Sequence, residues 1–158
     1  MTGTKLISLE RGQLWLMRVH AAGAALVILA AAAIGETVLA DRFELPRGIL
    51  LLPLLLPVLY FVLLAPGRRY RAWGYGMAED ELEVRRGVWT QIHTVVPLER
   101  IQHIDVAQGP LERAFGVCRL ILHTAGTLHS QVLVPGLSRA DAERMRDEIR
   151  GRIREEPA

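Results

Sequence analysis

Two apolar runs separated by a short polar connection constrain this chain more than any other feature. The first, "VHAAGAALVILAAAAIGETVL" (19–39), has 21 residues and would reach about 31 Å as a helix. That matches the roughly 30 Å hydrocarbon core of a bilayer. The second, "GILLLPLLLPVLYFVLLA" (48–65), has 18 residues, at the short end of the spanning range. Only five charged residues lie between Val19 and Ala65, all from Glu36 to Arg47. Pro53 and Pro57 stand one turn apart, a kink that a membrane helix tolerates when neighbours satisfy the freed carbonyls. Two buried helices of a soluble core are the competing reading, and two such runs so close together argue against it.

Cleavage of the first run as a signal peptide is a further alternative. "VLA" (38–40) before Asp41 has the small-residue form of a cleavage site, and Lys5, Arg11 and Arg18 could form a charged leader. The run is longer than a usual signal core, and Glu36 interrupts the approach to the site, so retention as a helix is expected. Orientation follows the basic flanks. Lys5, Arg11 and Arg18 precede the hairpin, Arg42 and Arg47 lie in its tip, and Arg68, Arg69 and Arg71 follow it. Both outer ends are more basic than the tip, which also carries Asp41 and Glu44, so both termini are expected in the cytoplasm. Ala21/Ala25 and Ala31/Gly35 place small residues four apart, a spacing that lets helices approach closely, within the hairpin or between copies.

Beyond the second run the composition becomes that of a soluble domain. From Arg68 onward there are 14 Arg against 13 Asp plus Glu, which offers no concentrated basic face for nucleic acid. The period changes to two. "ELEVRR" alternates, turns at Arg86-Gly87, and resumes with Val88, Trp89, Ile92 and Val95, a hairpin signal. "RIQHIDV", "RLILHTA" and "SQVLVPG" each fit a half-buried strand; with a glycine-rich strand beginning at Tyr75, the count reaches six. Ser138 with Asp141 opens a helix, along which Ala142, Met145, Ile149 and Ile153 form one apolar stripe. Glu148 and Arg152 add an i,i+4 pair. The expected domain is α+β: an antiparallel sheet plugged by a C-terminal helix, its interior built from Leu82, Val84, Trp89, Ile104, Leu120, Leu122, Met145 and Ile149.

The series "YGMAEDELEVRRGVW" (75–89), "VPLERIQHIDV" (96–106), "QGPLERAFGV" (108–117) and "LHTAG" (122–126) resembles the bacterial pleckstrin-homology (PH) family of YdbS-like membrane proteins. The preceding helix pair matches that family's architecture, and the likeness covers roughly residues 45 to 153. It implies a PH-like fold: a bent, seven-stranded antiparallel sheet capped by the C-terminal helix. The boundaries expected are an N-terminal segment 1–18, a transmembrane hairpin 19–66, a PH-like cytoplasmic domain 67–154 and a tail 155–158. The location expected is the bacterial cytoplasmic membrane, as a multi-pass protein.

"PLER" occurs twice, at 97–100 and 110–113. The first copy is read as leading into the strand "IQHIDV", with Pro97 at its start. The second, bracketed by Gly109 and Gly116, reads as a single helical turn with Pro at its first position. Its Leu111 and Phe115 lie four apart and are expected to pack under the sheet. Both copies are read as scaffold. Arg100, Gln102 and Arg113 are the candidate partner contacts.

Catalytic patterns are missing from the sequence. "GYG" (74–76) resembles a channel filter, but filters lie between two membrane helices, and this one opens a soluble domain. His93, His103, Asp105, His123 and His129 lack metal-ligand spacing, although His103 and Asp105 share a strand face. Cys118, the single cysteine, reads as a small core hydrophobe. No cofactor, metal or catalytic residue is expected, and the chain is read as a non-enzyme. Eukaryotic PH domains hold inositol phosphates with basic residues in the first strand connection; here that loop is "AEDE" (78–81), which repels phosphate. Lipid contact would fall instead to Arg68, Arg69 and Arg71.

The function expected is a non-catalytic, membrane-anchored interaction module that binds another bacterial PH-domain membrane protein or its own copies. The alternative is a sensor of anionic lipid or membrane state acting through the basic exit segment. A membrane-bound metal hydrolase using the histidines ranks last.

Overall fold

The computed structural model describes residues 6–43, 46–78, 80–125 and 131–155, with side chains through Ile153. Lys5, Glu44, Glu79 of the acidic loop, Gly126, His129 and most of the 155–158 tail lie outside the described residues. The chain divides into two compact units, residues 17–68 and a second one combining residues 69–158 with the N-terminal segment up to Leu16.

The first unit is helical. Helix α1 (Arg11–Phe43) runs well beyond the apolar stretch at both ends. Helix α2 (Leu51–Leu63) carries Pro57 in its interior, and a break at Leu64 separates it from α3 (Ala65–Arg71). Both segments, Arg11–Phe43 and Leu51–Arg71, are long and apolar enough to cross a membrane. Leu26, Val27 and Leu56 are at least 69% exposed, an arrangement that suits lipid and is costly in water. Ala25 is buried, whereas Ala31 is exposed. Glu36, the acid inside the first apolar run, is buried, and its carboxylate accepts the backbone N–H of Gly48 and of Leu51, the latter at 3.1 Å. It therefore satisfies amides at the start of α2 that have no intrahelical acceptor.

The second unit is the α+β domain. Strands β1 (Gly74–Met77), β2 (Glu81–Arg86) and β3 (Ile92–Pro97) form one antiparallel sheet in the order β1-β2-β3. Strands β4 (Ile101–Ala107), β5 (Cys118–Thr124) and β6 (Gln131–Leu137) form another in the order β4-β5-β6. Six strands are found among the described residues, as the sequence count gives, and the seventh implied by the resemblance is not among them. Helix α5 (Arg139–Glu155) packs on β5 and β4. Its cap is reciprocal: Asp141 N–H donates to Ser138 Oγ at 3.1 Å, and that hydroxyl donates to the Asp141 carboxylate at 2.6 Å. Ala142 and Ile149 are wholly buried and Met145 nearly so, while Ile153, in the last turn, stays 36% exposed. Arg152 and Glu148 pair at 2.7 Å.

Of the expected core, Leu82, Val84, Ile104, Leu120, Leu122, Met145 and Ile149 are buried together. Trp89 is not; it is 88% exposed. Gly87 takes φ +109, and a Cβ there would lie 1.9 Å from the Thr90 carbonyl oxygen. The chain is thus committed to a loop until Ile92, so the apparent alternation from Val88 belongs to the loop and carries no strand phase. In β3 the inward residues are those opposite Leu82 and Val84, namely Val96 and Thr94; Val95 faces out at 44% exposure.

The first PLER also departs from expectation. Pro97 ends β3, opposite Glu81, instead of starting β4, and Leu98–Arg100 form a 3-10 turn before the strand. The second copy is the helical turn expected, α4 (Pro110–Ala114), with Gly116 at φ +67. Glu112 anchors it by accepting the Gly109 N–H at 2.6 Å. Leu111 is 45% exposed, so the pair with Phe115 does not lie under the sheet.

Residues 6–16 are stitched onto this domain. Ile7 and Tyr75 exchange two backbone hydrogen bonds, at 2.7 and 3.1 Å, along the outer edge of β1. The Glu10 N–H donates to the Gly136 carbonyl at 2.8 Å, and the Tyr70 hydroxyl donates to the Leu9 carbonyl at 2.5 Å. Leu9 joins the core cluster. Two glycines permit the approach: a Cβ on Gly12 would meet the Phe115 carbonyl oxygen at 2.2 Å, and one on Gly136 (φ +66) would meet the Gln13 side chain at 2.8 Å.

Candidate functional site

Strand β4 is one of the two outer strands of its sheet, and no strand pairs with its other edge among the described residues. Its backbone donors and acceptors on that side form a template for another extended chain. Beside this edge, α5 supplies the second wall of two grooves. One, of about 540 Å³, is lined by Ile101, Gln102, His103 and Ile104 from β4 and by Asp147, Arg150, Gly151 and Ile153 from α5. The other, of about 240 Å³, continues past Ile104 and Arg150 toward Arg139, Glu143 and Arg146. The walls carry both signs of charge. Arg139 pairs with Glu143 at 2.9 Å and Arg146 with Asp147 at 2.8 Å. The hydrogen bond between the last two lowers the Asp147 pKa and raises that of Arg146.

The sequence-derived contact residues are distributed over this surface unequally. Gln102 is exposed and lines the larger groove. Arg100 and Arg113 are also exposed, but they occupy the connections before and after β4, and the seven-residue strand between them spans about 23 Å. Arg100 stands two residues before Gln102, whereas Arg113 lies beyond the far end of the strand. Arg68, Arg69 and Arg71 all lie exposed on α3. Tyr70, between them, is half-buried and tied to Leu9.

The three described histidines of the domain separate into two places. Asp105 lies 2.9 Å from His103 Nε2 and 3.1 Å from His123 Nε2. The two rings face each other across β4 and β5 with centroids 5.7 Å apart. His93 pairs with Glu83 at 3.0 Å on the other sheet. No group of three or more His, Cys, Asp or Glu is placed to hold a metal ion among the described residues. Cys118 is buried at the start of β5, its thiol donating to the Leu137 carbonyl at 3.5 Å. Burial pushes this thiol's pKa up, and the nearby Glu112 acts in the same direction, the opposite of what a reactive thiolate needs.

Sequence reasoning missed the groove's helical wall. Arg139, Arg146 and Arg150 recur at steps of seven and four, a spacing that puts them on one face of a helix, and that was the available signal. Tyr70, Gly12 and Gly136, which seat the N-terminal segment, carry no local pattern that would mark them.

The family model for the bacterial PH domain matches residues 19–153. The chain is 33% identical over 119 residues to the UPF0699 transmembrane protein YdbS of Bacillus subtilis (strain 168), covering 73% of each chain. No solved structure matches at a comparable level of significance. With its apolar helices, its two three-stranded sheets and its capping helix, the chain belongs to the bacterial PH domain family of YdbS-like membrane proteins.

Proposed function

We propose that this protein is a non-catalytic, membrane-anchored interaction module whose domain docks an extended segment of another membrane protein, or of a second copy, along the outer edge of β4. The observation that carries this reading is the edge of β4, unpaired among the described residues, running beside grooves walled by α5. Main-chain hydrogen bonds along such an edge supply affinity, and the adjoining pockets select side chains. Both termini face the cytoplasm in this reading. The basic flanks support it, and so does the attachment of residues 6–16 to the domain that follows the second span.

The test is a photo-crosslinking residue at position 102 in the full-length protein, followed by purification in mild detergent. A discrete crosslinked partner or dimer is expected at position 102, and none from the same residue at Gln91 in the β2–β3 loop. Equal, diffuse crosslinking from both positions would overturn docking at β4.

A second reading, sensing of anionic lipid, is favoured by the exposure of Arg68, Arg69 and Arg71. Each would contribute about 1 kcal/mol beside an anionic leaflet.

A further inference from the structure

Among the described residues of the domain, the most exposed large hydrophobe is Trp89, at 88%. It sits at the centre of the loop 87–91 joining β2 to β3, which Gly87 tightens through its positive φ. Ile92 follows at 43% exposure. Arg85 and Arg86 precede the loop and are both exposed, and no acidic residue lies between Arg85 and Ile92. The loop therefore combines an amphipathic ring with two cations. Tryptophan favours the level of lipid headgroups, and arginines gain from an anionic surface.

Register fixes which end of the sheet this loop occupies. Gly74 pairs with Arg85, and Gly74 stands three residues after Arg71, the last residue of α3. The loop thus projects from the end of the sheet at which the chain arrives from its second membrane-spanning segment. Three residues reach about 10 Å at most, so Arg85 is held within a short tether of a helix that leaves the bilayer.

We infer that the β2–β3 loop is a membrane-docking tip: Trp89 inserts into the interface of the bilayer that anchors the chain, and Arg85 and Arg86 hold anionic headgroups. Tethering supplies a high effective concentration of lipid, so a single ring and two charges suffice for docking that a free domain could not maintain. The two arginines together favour the docked loop by roughly thirtyfold on an anionic surface. The inference does not depend on partner docking at β4, which involves a different sheet.

The test uses the full-length protein in two sets of vesicles, phosphatidylcholine alone and phosphatidylcholine with phosphatidylglycerol in equal parts, each with and without brominated acyl chains. The chain has three tryptophans, so the signal of Trp89 is the difference between the wild type and Trp89→Phe. At 88% exposure that change leaves the fold intact, which circular dichroism verifies. The expected difference spectrum is blue-shifted and quenched by bromine, more strongly with phosphatidylglycerol. Arg85→Gln with Arg86→Gln removes the extra quenching. Emission at the wavelength of a water-exposed indole, without quenching, would overturn the inference. A blue shift without bromine quenching would do the same, since it would mean that protein covers the ring. Quenching equal in both lipids and unchanged by the arginine substitutions would refute the headgroup contact.

Discussion

At Gly12 a side chain of one carbon has nowhere to go, because its Cβ would lie 2.2 Å from the Phe115 carbonyl oxygen and 2.8 Å from Val117. Backbone cannot yield there as the end of a flexible side chain could, so Gly12→Val should force residues 6–16 off the domain. Overpacking of this kind costs about 1–3 kcal/mol. Gly23, with nothing within 4 Å of its Cβ position, is the internal control, and Gly23→Ala should leave the melting temperature unchanged. Equal effects at both sites in detergent-solubilised full-length protein would contradict the close approach. Cys118 and Tyr75 make a second residue-scale prediction. Burial raises both pKa values, with Glu112 adding at the thiol and Asp141 at the phenol. The native state then retains protons that the unfolded chain releases, so the stability these groups contribute is complete below their unfolded pKa values. It is lost as pH rises through the folded ones. Thermal stability should therefore fall as pH rises past about 8.5, where a free thiol titrates, and again past about 10, where a phenol does. Cys118→Ala should remove the first part of that fall, and a melting temperature flat across the range would refute the assignment.

At the scale of elements, α5 acts as the plug. Ile149 is completely buried beside Leu120 and Leu122, and Ile149→Asp would place an unpaired carboxylate in that core at a cost of several kcal/mol. Full-length protein carrying it should lose the near-ultraviolet signal of the packed domain while α1 and α2 keep their helical signal; an unchanged melt would sink the plug. This helix was legible in the sequence because its stripe, its Ser138 cap and the Glu148–Arg152 pair all agree. Strands β2, β4, β5 and β6 were legible for the same reason, their alternation being set by one buried face. Trp89 misled because an aromatic residue beside a turn glycine fits two phases equally, and only the close contact of Gly87 with Thr90 decides between them. Pro97 misled in a similar way: it can end a strand as well as begin one, and its pairing with Glu81 is a long-range fact.

On the scale of the whole molecule, the membrane spans could be read from composition alone, and the family from the motifs between Tyr75 and Gly126. The candidate site was only partly readable. Gln102 carries the groove into the sequence reading, but a groove needs two walls, and α5 meets β4 only through tertiary packing. The N-terminal segment was beyond reach for the same reason. Its backbone bonds to Tyr75 and Gly136 connect positions more than sixty residues apart and leave no periodic trace. That attachment nonetheless bears on the proposed orientation. If both apolar segments cross the bilayer, residues 6–16 can pack on the domain only when the two ends of the chain share one side. The most direct measurement is a pair of topology reporters, fused one at a time to Met1 and to Ala158 of the otherwise intact protein in bacterial cells. Both should report the cytoplasm. A C-terminal reporter that is active outside while the N-terminal one remains inside would contradict the orientation, the hairpin and the docking of the N-terminal segment together.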